Sequence, residues 1–150
     1  MSLINKIDAE IKQAMLQKLE ARLRGLRAIK AALLLAKTEK GAAEELTEEA
    51  EVKAVQKQIK QRKDSIEIYK QQGREDLAII EEEEMVVMEE FLPKQLSADE
   101  LRAAIQQIVN DLGVSDIKEM GKVIGAANKA LAGKSDGKSI ADMVKQVLSK

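Results

Sequence analysis

The residue types that perform most enzyme chemistry are scarce in this chain. It contains no His, Cys or Trp, one Tyr and one Phe. Nucleophilic catalysis would require a Ser, Thr, Lys or carboxylate activated without an imidazole, and a zinc site would have to consist of carboxylates alone. No disulfide can form. We therefore expect no catalytic residue, no bound metal and no cofactor, and the sequence argues against an independent enzyme.

A row of lysines near the carboxyl end has a spacing that could bind phosphate. Lys118, Lys122 and Lys129 fall on one face of a predicted helix, and Gly125 occupies the missing step of the series. A lysine row with a gap free of side chain would let a nucleic-acid backbone approach closely. The alternative is a solvated lysine face in which Gly125 serves helix packing, and the sequence leaves it open.

The charge balance around this row agrees with nucleic-acid binding but does not establish it. Residues 93–150 carry nine basic and seven acidic side chains, whereas residues 1–92 carry 16 basic and 19 acidic ones. The imbalance is too small to indicate binding by itself. The candidate RNA-binding residues are Lys118, Gly121, Lys122, Gly125, Lys129, Lys134 and Lys138.

Two other patterns have simpler explanations. Gly133 and Gly137 are separated by three residues, whereas a phosphate loop has four between its glycines and follows a strand, so a turn is the simpler interpretation.

Residues 75–92 contain eight acids and no base, a composition that could hold a hard cation. The preceding helix supplies matching cations, however, and charge complementarity between two paired helices explains most of this pattern.

Helices must position these residues, because aromatics make up only 1% of the chain and no stretch has the alternation of a strand. Between residues 52 and 91 apolar side chains recur at alternating steps of three and four on both sides of Gly73. This spacing predicts an antiparallel helical hairpin. Arg62 and Glu84 replace apolar residues at facing positions, so we expect a structural ion pair. The other facing pairs are Tyr69 with Leu77, Ile66 with Ile80, Ile59 with Val87, and Val55 with Phe91.

Further amphipathic stripes predict the remaining helices. Two precede Gly41, and the sequence does not decide whether they form one continuous helix: Ile4, Ile7, Ile11 and Met15, then Leu19, Leu23, Leu26, Ile29, Leu33 and Ala36. Pro93 marks a domain boundary, giving domains of residues 1–92 and 93–150. Three stripes follow it: Leu101, Ile105, Ile108 and Leu112; Ile117, Met120, Ile124, Ala127 and Leu131; and Ile140, Met143, Val144 and Val147. The predicted fold is all-α and multihelical, with a hairpin subdomain followed by a small three-helix subdomain.

Five segments, in family order, resemble the YqeY family of small bacterial proteins. They are residues 60–67, 73–77, 91–96, 120–125 and 133–138. That family is homologous to the C-terminal tail of GatB, a subunit of the tRNA-dependent amidotransferase that makes Gln-tRNA or Asn-tRNA from a misacylated precursor. The resemblance implies an all-helical fold of two subdomains, the second matching the part of GatB implicated in holding tRNA. It implies no catalysis, because the reaction centres of that complex lie elsewhere.

The sequence thus predicts a non-catalytic module that binds tRNA, or an RNA of similar shape, through its phosphate backbone. The rival hypothesis is a protein-interaction adaptor that uses the acidic surface of residues 75–92. A role related to amidotransferase, that is carbon–nitrogen ligase, chemistry ranks third and rests on family association alone. We expect a cytoplasmic protein without a membrane partner, since no run of 18 apolar residues and no signal-peptide core occurs. The oligomeric state is not predictable from these patterns.

Overall fold

The computed structural model describes residues 2–39, 41 and 45–149. The chain divides into two compact units, Met1–Leu92 and Pro93–Lys150, which we call unit 1 and unit 2. Within the described residues the secondary structure consists of seven α-helices and one 3₁₀ turn, with no strand. The predicted all-α fold is therefore confirmed. Unit 1 contains α1 (Leu3–Leu16), α2 (Glu20–Glu39), α3 (Glu48–Gln71) and α4 (Glu75–Glu89).

The first two helices are separate elements joined by a tight turn. The backbone N–H of Leu19 donates to the carbonyl of Ala14 at 2.9 Å, and Lys18 adopts a φ of 57°, in the left-handed region. The turn leaves Met15 55% and Leu19 43% exposed. The prediction that Met15 and Leu19 belong to buried apolar stripes is therefore wrong. The sequence also predicts a helix stop at Lys40-Gly41; α2 ends at Glu39, and Lys40 itself lies outside the described residues.

The hairpin of α3 and α4 starts at the N-cap that the sequence predicts, Thr47, and ends earlier than predicted. The Thr47 hydroxyl accepts the backbone N–H of Ala50 at 3.1 Å, which starts α3 at Glu48. Gly73 reverses the chain with a φ of 72°. Because α4 ends at Glu89, Phe91 lies beyond the helix in which the sequence placed it.

The core of unit 1 requires α4 to pack against both α2 and α3. Its buried residues Ala78, Val87 and Met88 span roughly half of the helix circumference at 3.6 residues per turn. Ile80, predicted to face α3, is instead 43% exposed. The hairpin pattern considers one partner helix only, and the second partner moves the buried face. The core side chains are Ile7, Ala14, Leu26, Ile29, Leu33, Val55, Ile59, Val87 and Met88.

Unit 2 consists of α5 (Ala98–Leu112), a 3₁₀ turn (Ile117–Glu119), α6 (Met120–Ala130) and α7 (Gly137–Leu148). The motif Ser97-Ala-Asp-Glu100 predicts a capping box at the start of α5, and the structure confirms it. The Ser97 N–H donates to Glu100 Oε1 at 3.0 Å, and the Glu100 N–H donates to Ser97 Oγ at 3.2 Å. Gly113 ends α5 with a φ of 66°.

The core of unit 2 is aliphatic apart from one methionine. It is formed by Leu101, Ile105, Val109, Val114, Val123, Ala127, Leu131, Ile140, Met143, Val144, Val147 and Leu148. Both aromatic residues of the chain, Tyr69 and Phe91, belong to unit 1. Ile108 and Leu112, predicted on the apolar face of α5, are only partly buried, and Val109 is buried beside them.

Candidate nucleic-acid interface

The helix that carries the lysine row begins later than the sequence predicts. The Asp116 carboxylate accepts the backbone N–H of Lys118 at 3.0 Å and starts the 3₁₀ turn. The α-helix itself begins only at Met120. Lys118 therefore lies in the turn, one element before the helix that carries Lys122 and Lys129.

The buried face of α6 differs from the predicted apolar stripe. The buried residues are Val123 and Ala127, whereas Ile117 is 40% exposed. Met120 and Ile124 are only partly buried against the core. The predicted stripe fails at Ile117 because a 3₁₀ turn has about three residues per turn, which shifts the residues before α6 relative to its faces. Within α6 the buried face is centred on Val123 and Ala127 rather than on Met120 and Ile124. Val123 and Ala127 nevertheless fix the orientation of α6 and leave the lysine side exposed.

The lysines of the row are solvated charges. Lys118, Lys122 and Lys129 are exposed, and none of the ion pairs between described residues involves them. Lys122 and Lys129 are seven residues apart in α6, so they share a face about 10 Å apart along the axis. Lys134 and Lys138 are exposed as well, but belong to the following connector and to the first turn of α7.

Gly121 and Gly125 open the lysine face of α6. Both are exposed, and a Cβ added at either would have no atom of the described residues within 4 Å apart from its chain neighbours and the backbone of its own helix. The packing explanation for Gly125, left open by the sequence, is therefore not supported by any neighbour that the structure describes. A glycine inside an exposed helix costs roughly 0.5–1 kcal/mol relative to alanine.

The connector after α6 is a packed turn rather than a phosphate loop. Gly133 has a φ of 79°, and its carbonyl accepts the side-chain N–H of Gln95 at 2.7 Å. The Leu96 N–H donates to the Lys134 carbonyl at 2.9 Å. At the start of α7 the Asp136 carboxylate accepts the Ser139 N–H at 2.6 Å. A carboxylate thus occupies the helix N-terminus where a phosphate loop would hold its anion.

Arg62 and Glu84 form the ion pair that the hairpin pattern predicts. Arg62 Nε lies 3.4 Å from Glu84 Oε2 and 3.7 Å from an oxygen of Glu81. A second arginine reaches the same carboxylate from α2, with Arg24 Nε 3.8 Å from Glu84 Oε1. Glu84 therefore joins α2, α3 and α4, and this cluster is part of the fold rather than of a ligand site.

The acidic residues of α4 and its end are largely paired within unit 1. Six of the eight acids in residues 75–92 take part in ion pairs: Asp76, Glu81, Glu82, Glu83, Glu84 and Glu90. Among the residues that the structure describes, no three acidic side chains converge as metal ligands could. The charge pattern is thus explained by helix pairing to a large extent. The acidic surface was predicted on a helix of residues 75–92, but that helix, α4, ends at Glu89.

Three links in unit 1 have no clear signal in the sequence. The buried Glu51 carboxylate in α3 accepts the Leu3 N–H of α1 at 2.9 Å. Arg22 donates to Glu10 at 2.9 Å and to Glu90 at 2.7 Å, and these hydrogen bonds raise the pKa of Arg22. At Gly25 an added Cβ would lie 2.8 Å from a side-chain atom of α4. Of these three, only the close contact at Gly25 is indicated by the sequence, because a glycine inside an amphipathic helix indicates close packing.

The fold and these surfaces define an all-helical protein of two units whose candidate site is an exposed face. The chain belongs to the YqeY family: the family model described as Yqey-like protein matches residues 4–148. The comparison with curated proteins found no match. None of the described helices combines the length and apolar character needed to span a bilayer.

Proposed function

We propose that unit 2 is a non-catalytic RNA-binding module that contacts the phosphate backbone through the lysine face of α6. The observation that carries the proposal is the juxtaposition of Gly121 and Gly125, in open space, with Lys122 and Lys129, which have no ion-pair partner among the described residues. Two exposed glycines lower helix stability without serving any described contact. The two glycines would be useful if a polyanion approaches the helix backbone closely between the lysines.

The RNA that fits this surface is a structured one. Residues 93–150 contain no aromatic side chain, so unit 2 has no platform on which unpaired bases could stack. Helical RNA is read mainly through phosphates and 2′-hydroxyl groups, which lysines and an open backbone can reach. Membership of the YqeY family supports tRNA, or an RNA of similar shape, as the first ligand to test, since the tail of GatB that the family resembles is implicated in holding tRNA.

The adaptor hypothesis has less support. Six of the eight acids in residues 75–92 already pair with arginines or lysines of unit 1, so little uncompensated negative charge is left there to attract a basic partner. The lysines of α6, in contrast, remain uncompensated within the described residues. We therefore propose no second function.

The test is a filter-binding titration with total tRNA at low salt. A triple variant with Lys118, Lys122 and Lys129 changed to alanine should lose at least about tenfold in affinity, because each lysine supplies roughly one phosphate contact. The matched control removes the same charge from three exposed lysines of unit 1, Lys6→Ala, Lys12→Ala and Lys60→Ala, and should bind almost as the parent does. Equal binding by the triple variant of Lys118, Lys122 and Lys129 and by the parent would overturn the proposal.

A further inference from the structure

The second half of α2 is more apolar than a surface helix normally is. Residues 28–36 contain one charged side chain, Lys30, and its Nζ lies 2.7 Å from Asp8 of α1. A helix that is apolar on all sides belongs inside a core. Here, however, Leu34 is 45% and Leu35 61% exposed. Two large aliphatic side chains on neighbouring faces are thus left in solvent.

A groove between α2 and α3 lies beside these leucines. It has a volume of about 660 Å³ and follows α3 from Glu49 to Gln61, about 18 Å at 1.5 Å per residue. Small side chains form much of its lining: Ala32, Ala36, Ala50 and Ala54. Leu35 lines the same groove. One surface therefore carries both a projecting leucine and a hollow lined by alanines.

The charged residues that line the groove are balanced in sign. Among the described residues they are Glu39, Glu49, Lys53 and Lys57, two acids and two bases. Glu49 and Lys53 form an exposed ion pair at 3.3 Å, and such pairs exchange partners at little cost. A strongly acidic or strongly basic partner would meet repulsion from half of these charges. Glu39 and Glu49 lie at the end of the groove where α2 ends and α3 begins, and Lys53 and Lys57 follow further along α3. A second copy of the groove in the opposite direction can therefore place acids opposite bases.

We propose that a second copy of this chain covers the α2–α3 groove in a two-fold symmetric dimer. In an isologous interface the same patch serves both subunits, so it must be complementary to itself. Leu35 of each copy would fill the alanine-lined hollow of the other, as a knob fills a hole between packed helices. The balanced charges of the lining allow the two copies to approach. The proposal concerns unit 1 and does not rest on RNA binding.

The first test is sedimentation velocity of the full chain without RNA, across a wide range of protein concentration. The parent should shift from monomer to dimer as concentration rises. Leu35→Glu should weaken dimerisation at least about tenfold, since a buried anchor is replaced by a charge. Ile68→Glu is the matched control, because Ile68 is an exposed α3 side chain outside the groove. That variant should dimerise as the parent does, and circular dichroism should show both variants folded.

A charge-exchange experiment tests whether the partner is the chain itself. Lys53→Glu with Lys57→Glu makes the charged residues of the groove all acidic, and Glu39→Lys with Glu49→Lys makes them all basic. Each double variant should be monomeric alone, and an equimolar mixture should dimerise. A parent that stays monomeric at every concentration overturns the proposal, whichever other ligand fills the groove. So does a dimer that Leu35→Glu leaves intact.

Discussion

The Nε atom of Arg62 in α3 lies 3.4 Å from Oε2 of Glu84 in α4, and both side chains are about five-sixths buried, with exposed fractions of 17% and 15%. On the other side of the same carboxylate, Arg24 Nε is 3.8 Å away. Both Nε atoms are buried and lack a hydrogen-bond acceptor among the described residues. Glu84 is therefore the carboxylate that the two Nε atoms share, while Arg24 also pairs with Glu83 at 2.9 Å and Arg62 Nε lies 3.7 Å from Glu81.

Replacing Glu84 by Gln should lower the free energy of unfolding by about 1–3 kcal/mol, because the mostly buried Arg62 guanidinium loses its nearer counter-charge and retains the more distant Glu81. Urea unfolding followed by circular dichroism measures the difference. Glu89→Gln, an exposed change on the same helix, should stay within about 0.5 kcal/mol of the parent. The double variant Arg62→Met with Glu84→Leu should lose less than the sum of its two single changes. Strict additivity would show that the pair does not couple α3 to α4.

Alanine should have opposite effects at two helical glycines. At Gly25 the new Cβ would lie 2.8 Å from Val87 Cβ and 3.2 Å from the Glu84 carbonyl. Overpacking of about 1–3 kcal/mol should exceed the gain in helix propensity, so Gly25→Ala should destabilise the protein. Gly125→Ala meets open space and should raise stability by up to about 1 kcal/mol. Thermal unfolding of both variants checks the signs, and equal signs would contradict the packing of α2 on α4.

The capping box of α5 should make unit 2 sensitive to acid. Hydrogen bonds from the Ser97 backbone N–H, and then from its side chain, lower the pKa of Glu100 below the ordinary value of 4.5. A carboxylate with a lowered pKa stabilises the folded state above its unfolded pKa, and this contribution disappears as the pH falls through the folded pKa. Glu100→Gln should therefore reduce the loss of thermal stability between about pH 6 and pH 3. An unchanged pH dependence would show that the Glu100 carboxylate makes no net contribution.

The salt dependence of RNA binding should report the individual lysines. Replacing Lys118, Lys122 or Lys129 by alanine should flatten the log–log salt slope by roughly 0.7–0.9 each, one released counterion per lost phosphate contact. The loss should be similar for different RNAs, because phosphate contacts carry no sequence information. Gly125→Leu should weaken binding without changing the net charge, since it fills the gap between the lysines. If Gly125→Leu binds as the parent does, the gap is not where the backbone lies.

Sequence patterns predicted the parts of this protein that depend on neighbouring turns of one helix or one hairpin. The Arg62–Glu84 pair follows from the seam of two adjacent helices, and the α5 capping box follows from a four-residue motif. Ile80 was misplaced because α4 must also pack on α2, a contact between elements far apart in the chain. Ile117 was misplaced because a 3₁₀ turn and an α-helix distribute residues differently around the axis. Lys122 and Lys129 are exposed on α6 as predicted, whereas Lys118 lies in the turn before it, and the ligand of this surface remains a prediction.

The confinement of both aromatic side chains to unit 1 makes the two units optically distinct. Tyrosine emission reports on Tyr69 and hence on the hairpin, whereas backbone circular dichroism reports on both units. Unit 2 has no chromophore of its own near 280 nm. A single tryptophan placed at Ala103, an exposed position on α5, would be the only indole in the chain. Its emission would follow the unfolding of unit 2 separately, which would reveal whether the protein unfolds in one step or two.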